Sequence, residues 1–181
     1  MKKRIAKVIT ILIICCLLCG CGSSSKQTTT ESTTEEAPVE SITYEGAKFT
    51  FPDSWSPSIE DGKLYAYPNE NSYVYVFFDE TPKASDSVDI AEYMEEVKNS
   101  LDNVDFSGIK TGTTRQGYAC GTLTGGEKEA NDQKGMYNVY VDLIVTEKGS
   151  FLCCLMDFWD NNTTEGNYGD YLETVNTMVL D

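Results

Sequence analysis

The chain has 181 residues, with 14 Lys and Arg against 29 Asp and Glu and no histidine, for a formal net charge of −15. Without histidine, Ser-His-Asp and Cys-His machinery and His-ligated zinc are excluded. The acid excess also argues against nucleic acid as a partner, because binding it needs a basic surface that displaces counterions.

Residues 1–7 carry Lys2, Lys3, Arg4 and Lys7 and no acid, and residues 8–19 are apolar apart from Thr10. A spanning helix needs about 20 apolar residues, so this run is too short. A basic start, a short apolar run and a small residue before a cut read as an export signal over residues 1–20. The stretch Leu18-Cys19-Gly20-Cys21 resembles a bacterial lipobox, with cleavage between Gly20 and Cys21 and lipid on Cys21. Cys19 follows the bulky Leu18, and Cys15 and Cys16 lie inside the apolar run as small hydrophobes. Only Cys21 has a small residue before it and a polar chain after it. Loss of residues 1–20 leaves 10 basic residues against all 29 acids, near −19. An anionic bilayer repels such a domain, so membrane lipid is expected as a partner only through acylated Cys21. Two or more acyl chains hold durably, at ~0.8 kcal/mol per buried CH₂. The expected address is the extracytoplasmic face of the cell membrane.

Residues 22–40, GSSSKQTTTESTTEEAPVE, contain no aromatic and bury too little to offset their ordering entropy. They read as a tether that starts at the lipidated residue 21 and has a root-mean-square span of roughly 25 Å. Residues 41–181 form one domain of ordinary size. Residues 44–51 alternate as a strand before Pro52, and Lys63–Tyr67 and Tyr73–Asp79 flank the turn PNENS as a hairpin. In DIAEYMEEVKNSL, Ile90, Met94, Val97 and Leu101 share one helical face, and Asp89 with Glu92 resembles a capping box. Strands are expected at 109–116, 118–124, 137–146 and 150–158. A closing helix is expected with Tyr168, Leu172, Val175 and Val179 on its buried face.

YVYVFF and FLCCLM are apolar at nearly every position, which requires cover on both sheet faces. The expected fold is α+β, an antiparallel sheet of about six or seven strands with a helix on each face. The element order, with Tyr44, Phe49, Phe51, Pro52 and Trp55 in YEGAKFTFPDSW, resembles the PsbP-like fold. That resemblance implies an α-β-α sandwich and a non-enzymatic binding or scaffold domain, and it supplies no catalytic residues.

No cofactor or metal is expected. DFWDNNTTEGNYGD offers Asp157, Asp160, Asn162, Glu165 and Asp170, but counting from Asp160 puts Glu165 and Tyr171 where an EF-hand needs Gly and Glu. Thr124-Gly125-Gly126-Glu127 lacks the Lys-Ser/Thr of a phosphate cradle and reads as a turn. Asn162-Thr163-Thr164 matches a glycosylation sequon in form only. Tyr65, Tyr67, Tyr73 and Tyr75 fall on shared strand faces as a candidate binding face for a glycan, a small ligand or an envelope protein, unless a helix covers them. Binding without catalysis is therefore expected, with a carboxylate-pair hydrolase as the enzymatic alternative. Cys120, Cys153 and Cys154 are expected to stay as buried thiols, since adjacent strand residues point to opposite faces.

Overall fold

The computed structural model describes residues 40–127, 135–160 and 166–181. Gly20 and Cys21, the tether as far as residue 39, and Asn162, Thr163, Thr164 and Glu165 lie outside the described residues. In chain order the elements are β1 (Glu40–Tyr44), β2 (Ala47–Phe51), β3 (Ser56–Glu60), β4 (Lys63–Tyr67) and β5 (Tyr73–Asp79). A 3-10 turn (Ala84–Asp86) leads into α1 (Ile90–Ser100), followed by β6 (Val104–Phe106), β7 (Lys110–Thr113), β8 (Ala119–Glu127), β9 (Gly135–Val145) and β10 (Ser150–Asp160). The chain closes on α2 (Tyr168–Thr177) and β11 (Val179–Leu180).

The fold is mixed α+β around a large antiparallel sheet. Its eight strands run β3-β4-β5-β10-β9-β8-β6, with β7 also paired to β8. A separate three-stranded sheet has the order β1-β2-β11. The expected single sheet of six or seven strands is therefore corrected to two sheets. One reason is that the strand read over residues 44–51 begins in a hairpin: Glu45 and Gly46 both take positive φ and close a two-residue turn pairing Tyr44 with Ala47. Asp61 and Gly62 do the same between β3 and β4. The stretch 124–127 is strand, not turn, and Gly125 is there for close approach: a Cβ would stand 2.7 Å from the Asp105 carbonyl on β6.

Strict alternation sorts the core into two layers. Tyr73 and Tyr75 of β5, with Leu152, Cys154 and Met156 of β10, join Met94 and Val97 of α1. Val74 and Val76, with Phe151, Cys153 and Leu155, join Tyr171, Val175 and Met178. The same layer holds Phe49 and Phe51 of β2 and Trp55, whose N–H donates to the Pro52 carbonyl at 2.9 Å and closes the Pro-x-x-Trp corner. The α1 phase is as expected, and Asp89 accepts from the Glu92 N–H at 3.1 Å. The α2 phase is corrected: its buried residues are Tyr171, Thr174 and Val175, whereas Tyr168, Leu172 and Val179 are half-buried.

Candidate functional site

The four tyrosines separate by depth. Tyr73 and Tyr75 are 9% and 2% exposed and belong to the core, whereas Tyr65 and Tyr67 on β4 are half-buried at its border. The Tyr65 and Tyr67 rings stack with centroids 6.2 Å apart, and Tyr65 lies 5.2 Å from Tyr75, its register partner. No broad tyrosine platform results. Tyr67 and Tyr73 instead line a cleft of about 390 Å³ at the β4–β5 turn, with Ser54, Ser56, Asn69 and Asn71. Asn69 Oδ1 accepts from the N–H groups of Asn71 and Ser72 and fixes that turn.

A second concavity, not read from the sequence, lies between the segment after β5 and the first turns of α1. It measures about 340 Å³ and combines Pro82, Val88 and Tyr93 with the carboxylates Asp79, Asp86, Asp89, Glu92 and Glu96. Three of these carboxylates also hold backbone. Asp79 accepts from the Thr81 N–H, Asp86 from the Lys83 N–H, and Asp89 caps α1. Glu92 and Glu96 project from successive turns of α1 on either side of Tyr93. Burial, with the negative field of Asp79 and Glu96, pushes the Tyr93 phenol up to about 12. The groove thus offers an aromatic and aliphatic surface beside acid, with no Lys or Arg in its lining.

Of the acidic stretch that fails the EF-hand pattern, Asp157 is buried and fully engaged. It accepts from Ser72 Oγ at 3.2 Å, the Asn167 N–H at 3.0 Å and Asn167 Nδ2 at 2.6 Å, and so ties the start of α2 to the sheet. Asp170 is exposed on α2. Among the described residues no group of three or more His, Cys, Asp or Glu side chains is placed to hold a metal ion. Cys153 and Cys154 are buried, Cys120 is half-buried, and all three are free thiols. Both Cys120 and Cys153 pair across to β9, with Ile144 and Asp142, so a whole strand separates them.

The chain matches no protein-family model and no curated protein. Among solved structures, cyanobacterial PsbP (CyanoP) from Synechocystis sp. PCC 6803 is similar to it, with a TM-score of 0.55 at 10% identity. The alignment covers 84% of this chain and 98% of that one. The likeness is one of fold, and it supports the PsbP-like fold expected from the sequence. Among the described residues no helix is long and apolar enough to cross a membrane.

Proposed function

We propose that the protein is a lipid-anchored, extracytoplasmic binding domain without catalysis. In this reading α1 and α2 cover opposite faces of the large sheet, and the ligand is taken between α1 and the segment after β5. The supporting observation is the groove itself, where the Tyr93 ring and Val88 lie beside Glu92 and Glu96 and no cation lines the wall. Such a surface suits a short basic peptide, whose alkyl stems lie on the apolar floor while its ammonium groups meet the carboxylates.

A tetralysine peptide titrated calorimetrically against the full chain tests this. Glu92→Gln with Glu96→Gln should weaken binding about tenfold or more, roughly 1.4 kcal/mol. The exposed pair Asp105→Asn with Glu70→Gln, equal in charge change, should leave affinity nearly unaltered. Equal losses from both pairs would mean only diffuse attraction to an acidic surface. A second reading has its own support: the cleft at the β4–β5 turn brings hydroxyls and amides beside Tyr67, a lining suited to a sugar ring.

A further inference from the structure

Asp142 lies in the middle of β9, and its side chain is directed to the layer that contains α2. It is 2% exposed. Thr122 Oγ1 donates to Oδ1 at 2.5 Å, while Oδ2 receives no hydrogen bond. The Tyr171 hydroxyl, reaching down from α2, donates its only proton to the Cys153 carbonyl at 3.0 Å. While that bond holds, it offers the carboxyl a lone pair; turned towards Asp142, it would donate to the carboxylate instead.

Among the described residues the surroundings hold no compensating cation. On β8 the neighbours on this face are Thr122 and the Cys120 thiol, and on β10 the Cys153 thiol stands directly across from Asp142. Tyr140 on β9 is stacked on Tyr168 of α2. Asp157, further along β10, is itself an acid held by Ser72 and Asn167. Lys110 is opposite Thr122 on β7 but exposed, and Arg115, also exposed, is engaged by Glu173 of α2 at 2.6 Å. An ionised Asp142 would be a buried charge with only the hydroxyls of Thr122 and Tyr171 to draw on and no cation beside it among the described residues, a costly state. A protonated one satisfies Oδ2, because its O–H has an acceptor in the Tyr171 hydroxyl.

We propose that Asp142 is a proton-held latch beneath α2: as the neutral acid it lets Tyr171 and Val175 seat on the sheet, and release of its proton to solvent loosens that seat. Burial pushes the carboxyl up from its ordinary value, against the opposing pull of hydrogen bonding to Thr122 and Tyr171. The sign follows from linkage. With the closed-state pKa above that of the open state, the favourable contribution is whole below the ordinary carboxylate range. It is then lost as pH climbs from there through the raised value. Acid tightens the latch and alkali loosens it.

Amide hydrogen exchange in α2, corrected for intrinsic rates, can be followed from about pH 4 to about pH 8 on the full chain. Opening of α2 should rise about tenfold for each pH unit by which the closed-state pKa exceeds the open-state value. Asp142→Asn should abolish this rise, whereas Asp105→Asn, which removes the same charge from an exposed site, should keep it. Carboxyl-carbon NMR of the wild-type chain gives an independent reading that needs no variant. One aspartate should keep the protonated shift after the exposed aspartates have titrated. If every aspartate titrates with the exposed ones, or if α2 opening is independent of pH in the wild-type chain, the latch does not exist.

Discussion

Gly121 shows how one residue sets the distance between a helix and the sheet. A Cβ there would stand 2.6 Å from Ile90 Cγ2 and 2.7 Å from Met94 Cγ, so α1 rests directly on bare backbone of β8. Met94 is wholly buried and cannot swing away without displacing its neighbours. Gly121→Ala should therefore cost about 1–3 kcal/mol through overpacking, even though the added methyl is apolar. Gly112→Ala, where nothing stands within 4 Å of the built Cβ, is the comparison. Denaturant titration of the two variants checks the difference, and equal midpoints would mean that α1 is free to shift outward. Asp142 and Asp157 make the complementary point about acids. Both are buried on one layer, yet Asp157 has donors for both oxygens and Asp142 for one.

At the scale of elements, the phase of α2 decides which substitutions matter. Val175 belongs to the same buried layer as Phe49, Phe151 and Leu155, while Leu172 is half-buried. Val175→Asp should destabilise by about 3 kcal/mol or more through a buried, unpaired charge. Leu172→Asp, with the same added charge, should cost at most about 1 kcal/mol. Thermal melts of the pair test this directly; the reverse order would restore the phase read from hydrophobic spacing alone. That spacing misleads because Thr174 fills a buried place and Leu172 does not, so apolar character and burial part company. The α1 phase was legible because its period is unbroken and Asp89 caps it. β5 and β10 were legible as unbroken apolar runs. β3 was not, since SPSIE contains a proline and no apolar alternation, and only Asp61-Gly62 marks the hairpin that pairs it with β4. The α1 groove was invisible for a related reason: its residues come from an aperiodic segment and from the outward side of α1, where sequence shows only solvated acid.

For the molecule as a whole, charge and attachment are linked. Lys148 donates to the carbonyls of Gly46 and Asp181 at 2.8 and 2.9 Å, and Thr43 Oγ1 donates to Asp181. These contacts fasten β11 beside β2 in the small sheet and bring Asp181 against Thr43 of β1. In the proposed reading the tether keeps the domain close to the bilayer. Yet the domain carries a large acid excess and cannot be held there by attraction to anionic lipid. The proposed anchor must then be covalent and insensitive to salt. Membrane fractionation with metabolic lipid labelling should find the wild-type chain and Cys19→Ser retained and acylated. A wash at about 1 M salt, where charges are screened beyond about 3 Å, should release neither. Cys21→Ser should lose the label and either persist as precursor or leave the membrane. Release of the wild-type chain by salt would point to a bound partner as the attachment. A labelled Cys21→Ser beside an unlabelled Cys19→Ser would move the lipid to the neighbouring cysteine and lengthen the tether by two residues.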